Sequence, residues 1–120
     1  MSWYNTALSG GGSGGSSDVM LCPFTMIPDT YIERDGSQVS YGGWSSTSFI
    51  YLNETNKYFV SGNIKRANWN AYYDSNKNFI SFFGSVSSVM TAPANAKYVR
   101  LSGGTWNITG GGNSVMSYKG

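Results

Sequence analysis

Apolar and aromatic residues recur along this chain in short alternating or β-branched runs separated by Gly, Asn, Asp, Ser and Pro. Nowhere do they hold the i, i+3, i+4, i+7 rhythm of an amphipathic helix for three turns. The pattern predicts strands and no confident helix. The expected strands are Val19–Leu21, Thr30–Arg34, Ser37–Tyr41, Ser48–Leu52, Lys57–Ser61, Trp69–Tyr73, Phe79–Phe83, Ala96–Ser102, Thr105–Thr109 and Ser114–Tyr118. Short strands at a spacing of about 8–12 residues point to a sandwich or jelly roll, so the fold class is all-β.

Turn chemistry fixes some of the connections. Asp35-Gly36 lies between two such runs and predicts a type I′ hairpin, because both residues tolerate positive φ. Asp74-Ser75-Asn76-Lys77-Asn78 predicts a longer turn. Pro23 and Pro28 mark the early segment as an edge strand or extended arm, and Pro93 closes the connection before the last core strand. Inward positions are expected at Tyr31, Phe49, Tyr51, Phe59, Ala71, Tyr73, Ile80, Tyr98, Val99 and Leu101. Tyr98 and Val99 cannot share one face of a regular strand, so either one of them points outward or the strand bulges.

Composition narrows the class further. Of 120 residues only 12% are charged, 16% are aromatic and 16 are Gly, a profile of polar, weakly charged β surfaces. The net charge of +2, with basic residues scattered apart from Lys65-Arg66, carries no footprint of a nucleic-acid binder. A single cysteine, Cys22, excludes an intrachain disulfide and reads as a small buried apolar residue. Without histidine the usual zinc sets cannot be assembled, and no metal or cofactor is expected. The first residues lack the basic start and apolar stretch of a signal peptide, and no apolar run approaches the roughly 20 residues of a membrane helix.

The organisation changes at the run Ser9 to Ser17, "SGGGSGGSS". Such a run is a flexible coil with an end-to-end spread of about 15–18 Å, and it is also the composition of an artificial linker. It separates the head "MSWYNTAL" from the body. Trp3, Tyr4 and Leu8 in that head could bury several hundred Å² in a preformed groove, at about 25 cal/mol per Å². Residues 1–17 are therefore expected to be an anchor arm, residues 18–102 the β-sandwich, and residues 103–120 a Gly-rich terminal hairpin or extension around "TGGG".

The blocks "YIERDGSQVSYGGWSSTSFIYL", "KYFVSG", "NAYYDSNKNFIS" and "TAPANAKYVRLS" span residues 31–102. In that order they resemble the small carbohydrate-binding-like β-sandwich modules of bacteriophage tail and receptor-binding proteins, also found beside some bacterial surface enzymes. The resemblance covers about 70 residues and excludes both flanks; its "AYYDSNK" and "TAPANAKYVRLS" blocks are specific together and weak apart. It implies a jelly-roll-like β-sandwich and a non-enzymatic virion structural protein on a capsid or tail surface. The arm would attach to other virion proteins, multiple copies would add avidity, and the module would face a host cell-surface glycan. The alternatives are a purely architectural virion protein and an accessory carbohydrate-binding module of a secreted enzyme.

Sugar recognition uses flat aromatic faces with Asn, Asp, Gln or Arg at the rim. If Ala71 faces the core, Asn70 and Tyr72 face outward; with Trp44 in the loop "YGGWSS" and Asp74, they form the expected carbohydrate site. For any single one of these aromatics, filling a core short of Leu and Ile is the commoner use. Asp74–Asn78 has the opening of a calcium loop but carries Phe79 where that loop needs Gly and Ser85 where it needs Glu, so it reads as a turn. Glu33 and Asp35 invite a carboxylate-pair glycosidase reading, yet Asp35 is better placed in the hairpin turn, so no catalytic residue is expected.

Overall fold

Residues 22, 24–52 and 56–104 and the backbone of 115–117 are described by the computed structural model. Strands β1 (Met26–Ile32), β2 (Gln38–Thr47), β3 (Ile50–Tyr51), β4 (Lys57–Ser61), β5 (Asn70–Tyr73), β6 (Phe79–Phe83), β7 (Val89–Thr91), β8 (Tyr98–Arg100), β9 (Ser102–Gly104) and β10 (Val115–Ser117) follow one another among the described residues, with a 3-10 turn at Asn63–Arg66 after β4. All paired strands are antiparallel. They form three sheets, ordered β1-β2-β9, β3-β8-β5-β6 and β10-β4-β7. The fold is thus an all-β sandwich, as the strand pattern predicts.

The four-stranded sheet contributes residues to two separate clusters. Val99 and Tyr72 join Ile50, Leu52, Tyr58, Val60, Ile64 and Leu101 in the larger one, shared with the β4-β7 layer. Ala71 and Tyr73 join Ile32 of β1 in the smaller one, with Phe49 and Tyr98 packed against it. This resolves the conflict over Tyr98 and Val99: β8 is regular, and each residue packs on its own cluster because this sheet is covered on both faces. The same arrangement overturns the expected outward face of β5, where all four residues from Asn70 to Tyr73 are buried. A fully buried aliphatic side chain contributes about 1.5–3 kcal/mol, and Ile32, Ile50, Leu52, Ile64 and Leu101 are all fully enclosed.

Other inward assignments are corrected. On β4, Tyr58 and Val60 are buried while Phe59 between them is half-buried. Tyr51 is 44% exposed, whereas its neighbours Ile50 and Leu52 are enclosed. In both places the period-2 pattern holds with the opposite phase. β1 begins earlier than expected, taking in Pro28, and is an edge strand of its sheet, consistent with the missing donor of proline. The expected strand Ala96–Ser102 divides into β8 and β9, which belong to different sheets. β7 escaped the sequence pattern. Val19–Leu21, Thr105–Thr109, the Gly/Ser tether and the head with Trp3, Tyr4 and Leu8 lie outside the described residues.

The first hairpin differs in type from the expected one. Gly36 N–H donates to the Glu33 carbonyl at 2.8 Å, Glu33 N–H to the Ser37 carbonyl at 2.8 Å, and only Gly36 has positive φ, at 85°. This is a turn through Arg34-Asp35 followed by a left-handed residue, the three-residue hairpin loop. Asp35 stabilises it from outside by accepting from Ser37 N–H and Oγ–H at 3.0 and 2.6 Å. The loop at Asp74–Asn78 repeats the scheme with Lys77 in the left-handed position, at φ 65°.

Candidate functional site

Three extra residues in β2 create the site. Pro28 faces Ser45 and Thr30 faces Ser40, so two steps along β1 match five along β2. The surplus, around Tyr41-Gly42-Gly43-Trp44, bulges opposite Asp29, which itself takes φ 57°. Gly43 has φ 88° with open space where a Cβ would stand, so the conformation and not crowding calls for glycine there. The bulge brings Tyr41 and Trp44 together on one side of the strand, where Tyr31 of β1 meets both. Trp44 therefore lies within a bulged strand and not in a loop.

Trp69 closes the group from the start of β5, and Ser102 holds it there. Trp69 N–H donates to the Ser102 carbonyl at 3.1 Å, and Ser102 Oγ donates back to the Trp69 carbonyl. The same hydroxyl oxygen accepts from Ile32 N–H at 3.0 Å, and Ser102 N–H donates to Asn70 Oδ1 at 3.2 Å. One small residue thereby joins β1, β5 and β9 directly behind the aromatic group. Asn70 is fully buried in this network, with its amide nitrogen lacking a hydrogen-bond partner.

Tyr31, Tyr41, Trp44 and Trp69 line an open pocket of about 260 Å³. Every ring contact among them that meets edge to face is steep: 83° for Tyr31–Tyr41, 65° for Tyr31–Trp44, 89° for Tyr31–Trp69, 78° for Tyr41–Trp44 and 86° for Trp44–Trp69. Tyr41 is 55% exposed at the mouth. Tyr31 hydroxyl donates to Glu33 Oε1 at 2.6 Å, and Glu33 Oε2 accepts from Arg34 N–H at 3.0 Å. These bonds hold the Glu33 carboxyl below the usual carboxylate range, the Tyr31 hydroxyl first, and the carboxylate in turn raises the Tyr31 phenol. The Arg34 guanidinium stands 4.9 Å from the Trp69 ring and 6.0 Å from Phe82, which packs edge-on to Trp69.

Of the residues expected to bind carbohydrate, only Trp44 belongs to this pocket. Tyr72 is buried: its hydroxyl bonds that of Tyr58 at 2.8 Å and its ring stacks on Phe83 at 4.5 Å. Asn70 is buried with it, for the reason given by β5's two covered faces. The Asp74 carboxylate is committed to its own turn, accepting from Asn76 and Asn78 N–H, both at 2.9 Å, which also lowers its pKa. Glu33 and Asp35, weighed as a carboxylate pair, hold Tyr31 and Ser37 instead. Tyr31, expected in the core, is half-buried and central to the pocket. Tyr41 and Trp69 were missed; the Gly42-Gly43 doublet inside a strand was the available signal of a bulge that re-aims neighbouring side chains.

Cys22 is buried, and burial pushes its thiol up to about 12, which suits a packing role. No helix among the described residues is long and apolar enough to cross a membrane. Comparison with family models, with curated proteins and with solved structures gives no match.

Proposed function

We propose that this chain is a non-catalytic adhesion module of a bacteriophage virion, on capsid or tail, which presents its aromatic pocket to a carbohydrate-bearing host surface. The observation that carries the reading is the open pocket of Tyr31, Tyr41, Trp44 and Trp69. Four large aromatics in one half-exposed cluster are more than a surface loop needs, and charged side chains flank it, Glu33 bonded to the Tyr31 hydroxyl and Arg34 over the Trp69 ring. The virion setting rests on the resemblance of residues 31–102 and on the anchor expected at Trp3, Tyr4 and Leu8. Repeated copies on a particle would turn a weak single site into firm attachment.

Glycan-array and host-cell binding of the multivalent protein, beside a Trp44→Ala variant, tests this reading. Specific binding that Trp44→Ala abolishes, with the fold intact by circular dichroism, is the expected result. Absence of binding at high valency leaves the architectural alternative in its place. Deletion of residues 1–9 is expected to release a folded module from particles, and a deletion that unfolds the module contradicts the anchor.

A further inference from the structure

Resting on that reading of the pocket, we infer that the group entering it is a quaternary ammonium, a trimethylammonium headgroup of the choline type carried by the surface that the module meets.

A pyranose stacks its apolar side on one broad, open ring face. Here the five ring contacts stand at 65–89°, and all four residues line the pocket, so they bound a small volume from several sides instead of offering one platform. The pocket's 260 Å³ is below the roughly 300–1,000 Å³ of clefts that enclose drug-sized ligands, but it has room for a headgroup of four methyl-sized lobes.

Chemistry agrees with shape. A sugar requires fixed donors and acceptors around it, and the Tyr31 hydroxyl is already given to Glu33. A trimethylammonium group has an apolar surface, makes no conventional hydrogen bond and is attracted by the negative faces of aromatic rings. The Glu33 carboxylate, one hydrogen bond from the cage wall, places negative charge nearby and enriches the electron density of the Tyr31 ring. The indole of Trp69 already attracts a cation, the Arg34 guanidinium at 4.9 Å. That guanidinium also lies 6.0 Å from the Phe82 ring, and neither Arg34 nor Phe82 lines the pocket.

The test is a tryptophan-fluorescence titration of the full chain at fixed ionic strength with choline chloride and with 3,3-dimethyl-1-butanol, its uncharged isostere. Choline is expected to saturate on the order of 1 mM, with the isostere at least about 10-fold weaker. Trp44→Ala is expected to weaken choline at least about 10-fold, Trp44→Phe to retain most of it, and Glu33→Gln to weaken choline about 3-fold while leaving the isostere unchanged. Equal binding of choline and isostere, or no saturation by choline with the protein folded, overturns the cage. Phosphocholine-bearing polysaccharide and phosphatidylcholine vesicles, each beside its choline-free counterpart, form the second arm. Capture by the polysaccharide supports both the cage and the adhesion reading; capture by vesicles alone supports the cage and overturns the glycan setting. Binding to unsubstituted glycans without a choline response overturns the cage and leaves the adhesion reading standing, and binding to none of these overturns both.

Discussion

Two glycines in the first hairpin sheet show how one residue type serves opposite constraints. Gly36 combines φ 85° with a position where a Cβ would come within 2.4 Å of the Phe79 ring, and its carbonyl accepts from the Tyr73 hydroxyl at 2.6 Å. Gly36→Ala therefore meets both backbone strain and a clash, and is expected to lower stability by about 2–3 kcal/mol in urea unfolding. Gly43 has φ 88° but open space around it, so Gly43→Ala is expected to cost only the strain, about 1 kcal/mol. Equal losses at the two positions would show that the Phe79 contact is not formed. Tyr72 makes the complementary point about reading function from residue type. Tyr72→Phe leaves the buried Tyr58 hydroxyl without its partner, at about 1–3 kcal/mol, and Tyr72→Ala adds a cavity for about 3–5 kcal/mol in all. Loss of ligand binding in Tyr72→Ala would thus report unfolding, and guanidinium melts of both variants give the measurement.

At the scale of elements, the two three-residue hairpin loops are built alike but defended differently. The loop at Asp74 places Lys77, not glycine, in the left-handed conformation, and the Lys77 ammonium lies 5.1 Å from the Phe49 ring and 5.3 Å from Tyr98. Relief of about 1 kcal/mol of backbone strain in Lys77→Gly is offset by lost cation–π attraction and by a more flexible unfolded chain, so that change is expected to be nearly neutral. Asp74→Ala removes an acceptor from two turn N–H groups and is expected to cost about 1–2 kcal/mol, seen as a lower midpoint in thermal unfolding. A neutral Asp74→Ala would mean that water replaces the carboxylate fully. Ser102 carries more, because its hydroxyl connects Ile32 and Trp69 within a buried network. Ser102→Ala strands the Ile32 N–H, and the expected loss is about 1–3 kcal/mol, together with a changed tryptophan emission from a loosened Trp69.

Across the whole molecule, the strands themselves were readable because alternation, β-branched residues and turn residues coincide; β4 and β6 match the sequence pattern end to end. Layering was not readable. A strand covered on one face and one covered on both can carry the same letters, so nothing in "WNAYYD" distinguished an exposed Tyr72 from one enclosed against Tyr58. The site was half legible for a related reason. Trp44 stood out beside its glycines, whereas Tyr31, Tyr41 and Trp69 join it only through a three-residue bulge and a Ser102 contact from a strand far along the chain. Long-range register leaves no local mark in composition.

The buried hydroxyls and thiol also give the whole molecule an asymmetric response to pH. Burial raises the phenols of Tyr58 and Tyr72 above their ordinary value of 10.0, and it raises Tyr73 to about 12, with Arg100 pulling that one back. Cys22 moves from 9.0 to about 12 by burial alone. In each case the folded pKa lies above the unfolded one, so the stabilising contribution is complete below about pH 9 and declines as pH rises toward the folded value. Tyr58, Tyr72, Tyr73 and Cys22 all act in the same direction, so as pH climbs above their unfolded values their losses accumulate against a domain stability of about 5–15 kcal/mol. The acidic side is different: Glu33, Asp35 and Asp74 are lowered by hydrogen bonds at the surface, and their small contributions disappear only as pH falls through those depressed values. The expected behaviour is tolerance of acid down to about pH 4 and cooperative unfolding between about pH 10.5 and 12, with tyrosinate absorbance at the enclosed phenols appearing together with the loss of ellipticity. If Tyr58, Tyr72 and Tyr73 ionise near pH 10 while the ellipticity holds, they are open to water and the two-sided burial of the central sheet is wrong.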